Sequence, residues 1–325
     1  MRRLVIRLFG LLVFLVSMGQ GSAASAAEQI YRLGVLSPSA GAIDRIRATM
    51  LPELATLGFS EGRNLALETR VGPTGQLPAL ARGLAAVRPQ AVVAVGAAAI
   101  DAMRRAAKAT PIVGAFIGED PVAAGFAKSL SHPGGTVTGV VMLAPELDAK
   151  RLHLLHEVLP ASRRIAVLAV DKERDRPNLT EISAAADRAK VQIFAFYAGH
   201  ADQYQAAFRA MKITGASALQ VISAPELYAD AAMIAEAALN AKLPTICEWA
   251  EMAQSGCLLG YGPDFTELQH RVANDVARIL RGTDPGDLPI EEPKHYVLAV
   301  NLNVAKTLGL TISPDVLARA DQVIE

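Results

Sequence analysis

The sequence has 325 residues, with 32 Lys and Arg against 32 Asp and Glu, and 51% of it is apolar. That length allows about two domains of ordinary size and a core that needs no staples. Zero net charge and 5% aromatic residues exclude nucleic acid as the main partner, and two cysteines exclude a disulfide scaffold or a four-cysteine zinc site.

At the amino terminus, Arg2, Arg3 and Arg7 precede an uncharged run from Leu8 to Met18, which passes into Gly21-Ser22-Ala23-Ala24-Ser25-Ala26-Ala27. A basic start, a short apolar run and a small-residue end describe a secretory signal peptide over residues 1–27, cut after Ala26 or Ala27. The run is shorter than the roughly 20 apolar residues that a membrane helix needs. Loss of the three arginines leaves 29 basic against 32 acidic residues, so the exported chain is mildly acidic.

From Ile30 onward, short β-rich runs alternate with helical patterns. Tyr31 to Leu36 reads as a strand, and Ile43, Ile46, Met50, Leu54 and Leu57 follow at helical spacing with Gly58 as the stop. Strands are expected at 65–71, 91–95, 111–116 and 137–142, with helices at 77–87 and 97–107. Continuous apolar strands of about five residues between helices indicate a parallel sheet covered on both faces.

The pattern then restarts. Helices at 147–159, 179–190, 201–211 and 228–241 alternate with strands at 164–170, 191–197, 218–222 and 244–247. A short helix leads to a strand at 257–260, followed by a long helix at 265–280. A Pro/Gly/Asp-rich connector at 283–293, a strand at 296–301 and two short helices close the chain. Two successive βα series give an α/β protein of two doubly wound parallel-sheet lobes.

Cys247 ends one expected strand and Cys257 begins the next. If those strands are parallel neighbours, their residues are offset by about 10 Å at roughly 3.3 Å per residue. Two separate buried thiols are therefore expected.

Catalytic templates are absent: the sequence has no phosphate-binding G-x-x-x-x-G-K-[ST], no G-x-G-x-x-G after a strand and no G-x-S-x-G elbow. His153 and His156 share a helix face but have no third ligand nearby, so a solvated face explains them better than a metal. What remains are loops at the carboxyl ends of strands, where open α/β sheets bind ligands.

In the first series these loops carry Ser37, Gly96, Ala97, Ala98 and Asp120. Gly96 opening a helix could offer free N–H groups to a carboxylate, or be a plain helix start. Asp120 could meet an ammonium or cap a helix. In the second series the loops carry Asp171, Glu226, Trp249 and Tyr261, and Trp249 could stack on a ligand or cover the sheet edge. Acids and aromatics gathered at one edge fit a zwitterionic ligand with an apolar side chain.

Several segments resemble the family of ABC transporter substrate-binding proteins, a branch of the type I periplasmic binding proteins. They include Leu33-Gly34-Val35-Leu36-Ser37-Pro38, Asp120-Pro121-Val122-Ala123-Ala124-Gly125-Phe126 and His132-Pro133-Gly134-Gly135-Thr136-Val137-Thr138-Gly139. Gly260-Tyr261-Gly262-Pro263, Leu288-Pro289-Ile290-Glu291-Glu292-Pro293 and Asn301-Leu302-Asn303-Val304-Ala305-Lys306 extend the match toward the carboxyl end.

The resemblance implies two lobes joined by a three-strand hinge, one of residues 28–142 plus 262–292 and the other of 143–261 plus 293–325. It implies a periplasmic solute-binding protein of an ABC importer that captures a small amino-acid-like solute, aromatic in some relatives. The protein would act as a monomer, without cofactor or catalysis, and dock on a permease in the inner membrane.

Two departures bear on the ligand. Ala97-Ala98 stands where the family often has a polar pair, and the charged segment Asp171-Lys172-Glu173-Arg174-Asp175-Arg176-Pro177 replaces an Asn/Pro-rich loop. A ligand-sensing module for a signalling receptor and an exported α/β enzyme are the competing readings.

Overall fold

The computed structural model describes residues 29–325, so the expected signal peptide lies outside the described residues. Strand β1 (Tyr31–Ser37) is followed by α1 (Ala40–Arg45), a π-helical turn (Ile46–Met50) and α2 (Leu51–Thr56). Then come β2 (Leu65–Val71), α3 (Leu77–Ala86), β3 (Ala91–Val95), α4 (Ala97–Ala106), β4 (Ile112–Ile117) and β5 (Val137–Val141). These strands form one parallel sheet in the order β2-β1-β3-β4-β5.

The second series runs α5 (Ala144–Val158), β6 (Arg164–Ala169), α6 (Arg176–Ala189), β7 (Gln192–Tyr197), α7 (Ala201–Ile213) and β8 (Ala218–Val221). It continues through α8 (Pro225–Ala229), α9 (Ala231–Asn240), β9 (Thr245–Cys247), α10 (Ala250–Gln254) and β10 (Leu259–Pro263). After α11 (Phe265–Leu280) come β11 (Tyr296–Asn301), α12 (Leu302–Thr307), α13 (Pro314–Arg319) and β12 (Gln322–Ile324). The second sheet has the order β12-β11-β10-β9-β8-β6-β7, parallel except where β10 meets β11. Two parallel-dominated sheets, each with helices packed against it, match the expected fold class.

The strands are apolar because both faces of each sheet are covered. Leu33, Val35 and Leu36 of β1 and every residue of β3 are buried, each leucine or valine side chain contributing about 1.5–3 kcal/mol. Helix α11 packs on β3, β4 and β5, although it follows β10 of the other sheet in sequence. The chain returns along 289–291, where Glu291 bridges Val140, before β11 rejoins the second sheet.

The thiol expectation is overturned. Cys247 and Cys257 form a disulfide with a Cα–Cα separation of 6.3 Å. The strands are indeed parallel neighbours, with Cys247 paired to Gly260. Cys257, however, precedes β10, in the bend that closes α10, where its N–H donates to the Met252 carbonyl. An extended-strand rise does not apply to a bend, and the curl brings the sulfurs together.

Candidate functional site

A cleft of about 650 Å³ opens between the carboxyl edges of the two sheets. Its first wall comes from residues after β1, β3, β4 and β5, and its second from residues after β6, β8 and β9. That volume lies within the roughly 300–1,000 Å³ typical of small-molecule sites.

Gly96 sits before α4 with φ +77°, the left-handed region that glycine enters without cost, and Ala97 and Ala98 continue the cleft lining. Phe116 adopts φ +60° where β4 and β5 lose register between Gly114 and Ile117. A left-handed aromatic costs about 1–3 kcal/mol and persists only where the surroundings dictate it. Here the irregularity accompanies placement of the ring in the cleft.

Four rings pave that region. Phe116 stacks on Phe265 at 5.1 Å, and Trp249 stands edge-on to both, at 5.5 Å and 5.2 Å. Tyr228 stacks parallel to Phe265 at 6.1 Å. Phe116 comes from the first sheet and Trp249 from the second, so the cluster joins the two walls.

Trp249 reaches this place because β10 yields to it. A Cβ on Gly260 would lie 2.2 Å from the Trp249 carbonyl oxygen, and one on Gly262 would lie 2.3 Å from that of Glu248. Only glycine allows the Glu248-Trp249 turn to press against the strand. The disulfide closes the loop that carries this turn, a restraint of about 3 kcal/mol on the unfolded chain.

Behind the second wall lies a buried ionic network. Arg151 is fully buried and donates to Asp148 Oδ1 at 2.6 Å, Ser223 Oγ at 2.7 Å, the Tyr261 carbonyl at 2.7 Å and the Glu248 carbonyl at 3.0 Å. Asp148 also accepts from Asn178 Nδ2 at 2.6 Å. One guanidinium thus ties the chain after β8 and β9 to strand β10. The Glu248 carboxyl is pushed up to about 7 by burial, with Asp148 adding to the shift and Arg151 opposing it.

Of the expected site residues, Gly96, Ala97, Ala98, Glu226 and Trp249 line the cleft. Glu226 is already engaged there. It accepts from Arg174 at 2.8 Å and from Thr74, across the mouth of the cleft, at 2.9 Å. Burial would push its carboxyl up, but Arg174 outweighs burial and holds it below the ordinary range.

The others stand elsewhere. Ser37 is buried and turns onto Ser39, donating to its carbonyl at 2.9 Å. Asp120 accepts from the Val122 and Ala123 N–H groups. Asp171 accepts from those of Arg174 and Glu173, and the Arg174 N–H leads in lowering its pKa. Tyr261 stacks on Tyr296 at 6.1 Å, with Lys150 hydrogen-bonded to its hydroxyl.

The charged 171–177 loop mainly holds itself: Asp175 accepts from the N–H groups of Val170 and Asp171, and Arg174 pairs with Asp175 and Glu226. Arg45, Phe116, Tyr228, Phe265 and Gln269 line the cleft and were not expected from sequence. Among the described residues, no cluster of three His, Cys, Asp or Glu could hold a metal ion, and no helix is long and apolar enough to cross a membrane.

A conserved domain protein from Vibrio cholerae has a similar structure, with a TM-score of 0.81 and 26% identity, covering 91% of this chain and 100% of that one. An ABC domain in complex with L-Trp from Streptococcus pneumoniae shares the fold with a TM-score of 0.80 at 23% identity, over 91% and 100% of the two chains. A tyrosine-binding protein from Clostridioides difficile is 21% identical over 273 residues, 82% of this chain and 77% of that protein. The family model described as ABC transporter substrate binding protein matches residues 35–324, so the chain belongs to that family of solute-binding proteins.

Proposed function

We propose that this protein captures a small amino-acid-like solute with an aromatic side chain in the cleft and delivers it to an ABC importer. The observation that carries the reading is the wall of Phe116, Phe265, Trp249 and Tyr228, drawn from both sides of the cleft. A planar ligand ring gains area burial against such a wall, plus about 0.5–1.5 kcal/mol for each well-placed aromatic contact. The relatives named for tyrosine and crystallised with L-Trp support the same class of solute.

Substrate-binding proteins of this family are extracytoplasmic. The disulfide suits an oxidising compartment, and an inner-membrane permease is the partner the family implies. In this reading residues 28–142 plus 262–292 form one lobe and 143–261 plus 293–325 the other, joined by a hinge. Ligand contacts from both lobes then stabilise the closed form. The Thr74–Glu226 hydrogen bond belongs to that form.

Calorimetric titration of ligand-free protein with the twenty amino acids tests the proposal. Saturable heat is expected with tryptophan, tyrosine or phenylalanine. Trp249→Ala should weaken that binding at least tenfold, about 1.4 kcal/mol. Absence of heat and of any melting shift with all three aromatic amino acids refutes it.

A further inference from the structure

The cleft also holds polar groups that nothing among the described residues satisfies. Arg45 lies at the end of α1, where the helix widens into the π turn, and its guanidinium carbon sits 4.6 Å from the Tyr228 ring centre and 4.9 Å from that of Phe265. Among the described residues no oxygen accepts a hydrogen bond from this half-buried guanidinium, although it lines the cleft. Glu251 acts on it only electrostatically. Five donors without an acceptor at a cleft wall are costly unless a ligand supplies one.

Two further atoms share this condition. The Tyr228 hydroxyl and Gln269 Oε1 are buried with no hydrogen-bond partner among the described residues, and Gln269 as a residue is only 1% exposed. Gln269 follows Phe265 by four residues on α11, so both lie on one helix face. Arg45, Tyr228 and Gln269 therefore gather around the Phe265 ring, two donor groups and one acceptor beside an aromatic surface.

We propose that Arg45, Tyr228 and Gln269 form the subsite for the charged end of an α-amino-acid solute. The Arg45 guanidinium and the Tyr228 hydroxyl donate to the carboxylate, and Gln269 Oε1 accepts from the adjacent ammonium. A planar guanidinium held against rings is preorganised for bidentate contact with a carboxylate. Arg45 and Tyr228 follow strands of different sheets, so a carboxylate between them also draws the walls together. This inference rests on the proposed capture of an amino-acid-like solute and names which residues take its charges. It places the carboxylate away from the amino terminus of α4.

Paired probes test it on the full protein: L-tryptophan with tryptamine, which lacks the carboxylate, and L-leucine with isoamylamine. Wild type should prefer L-tryptophan over tryptamine by about a hundredfold, the scale of a desolvated charge-assisted pair. Arg45→Met should abolish most of that preference and leave tryptamine affinity nearly unchanged. Its unliganded melting temperature should stay level or rise, since a desolvated charge without an acceptor is removed. Gln269→Leu should weaken tryptamine and L-tryptophan alike but spare indole-3-propionate, which lacks the ammonium.

An unchanged preference in Arg45→Met overturns the proposal. A lowered melting temperature with equal loss of both tryptophan probes also overturns it, assigning Arg45 to folding. If only the leucine pair behaves as described, the subsite stands and the aromatic reading fails. Wild type binding neither amino acid overturns both.

Discussion

On one side of the cleft, Gly96, Ala97, Ala98 and Phe116 owe their positions to backbone conformation: a left-handed glycine, a helix start and a left-handed phenylalanine. On the other side, Ser223, Asn178 and the Glu248-Trp249 turn are held from behind by the fully buried Arg151–Asp148 pair. The first wall can change its side chains without disturbing a polar core. The second cannot, because the Arg151–Asp148 pair behind it holds Ser223, Asn178 and the Glu248 carbonyl in one hydrogen-bonded network. A wall locked in this way presents its side chains in fixed geometry, which favours discrimination between ligands, at the cost of buried charge.

The largest effect should come from breaking that lock. Arg151→Met leaves Asp148 buried without its counter-charge and strips the Tyr261 and Glu248 carbonyls of a donor. The expected destabilisation is about 3–5 kcal/mol, the usual range when one partner of a buried pair is removed. Adding Asp148→Asn should recover part of it, since the uncompensated charge is then gone. Urea midpoints report both values. A loss near 1 kcal/mol for the single variant would show that the second wall does not depend on this pair, and the contrast between the walls would collapse.

Glu248 offers a test with a definite sign in pH. Its folded value of about 7 stands above its ordinary value of 4.5, because burial disfavours the charged form. A raised acid contributes its stability fully below about 4.5 and loses it as pH rises through about 7. Glu248→Gln removes this titration. The variant should therefore gain on wild type between pH 5 and pH 8, by on the order of 3 kcal/mol, from a shift of about two and a half pH units. Denaturation curves at the two pH values decide it. A gap that stays constant or narrows would mean that the carboxyl is not desolvated behind this wall.

The same contrast explains what the sequence revealed. Short apolar strands alternating with helices are a direct consequence of sheets buried on both faces, so the two series and the loops at their carboxyl edges were legible, with Gly96-Ala97-Ala98 and Trp249 among them. Arg45 and Gln269 were not. Arg45 reads as one more charge on an amphipathic helix, and Gln269 as a polar position on α11; only the tertiary fold turns both into the cleft. Phe265 and Tyr228 fit helix patterns as core residues. Phe116 ends a strand in sequence, and nothing there signals its left-handed backbone. Arg151 carries a weak local sign, an Asp three residues earlier on the same helix face, but burial of the pair depends on β8, β9 and β10 converging above it. The disulfide was missed because a bend, rather than a strand, carries Cys257.

Across the mouth of the cleft the two walls meet through Thr74 and Glu226, and this contact should give the smallest effect. Thr74 stands in a short turn after β2 and, in the proposed hinge reading, touches Glu226 only while the walls are together, whereas Arg174 holds Glu226 within the second wall. Thr74→Val removes the crossing bond and leaves the Arg174 pair in place. A hydrogen bond to a carboxylate contributes about 1.5–3 kcal/mol when buried, and this part-buried one, which shares Glu226 Oε1 with Arg174, should yield about 1 kcal/mol. The loss falls on the closed state alone, so unfolding midpoints should hardly move. The unliganded protein should instead expand in small-angle scattering, and the dissociation constant should rise by about fivefold, the fold-change that 1 kcal/mol produces. If affinity and radius of gyration both stay at their wild-type values, Thr74 is a bystander. Closure would then be governed by the aromatic wall and the solute rather than by any clasp between the walls.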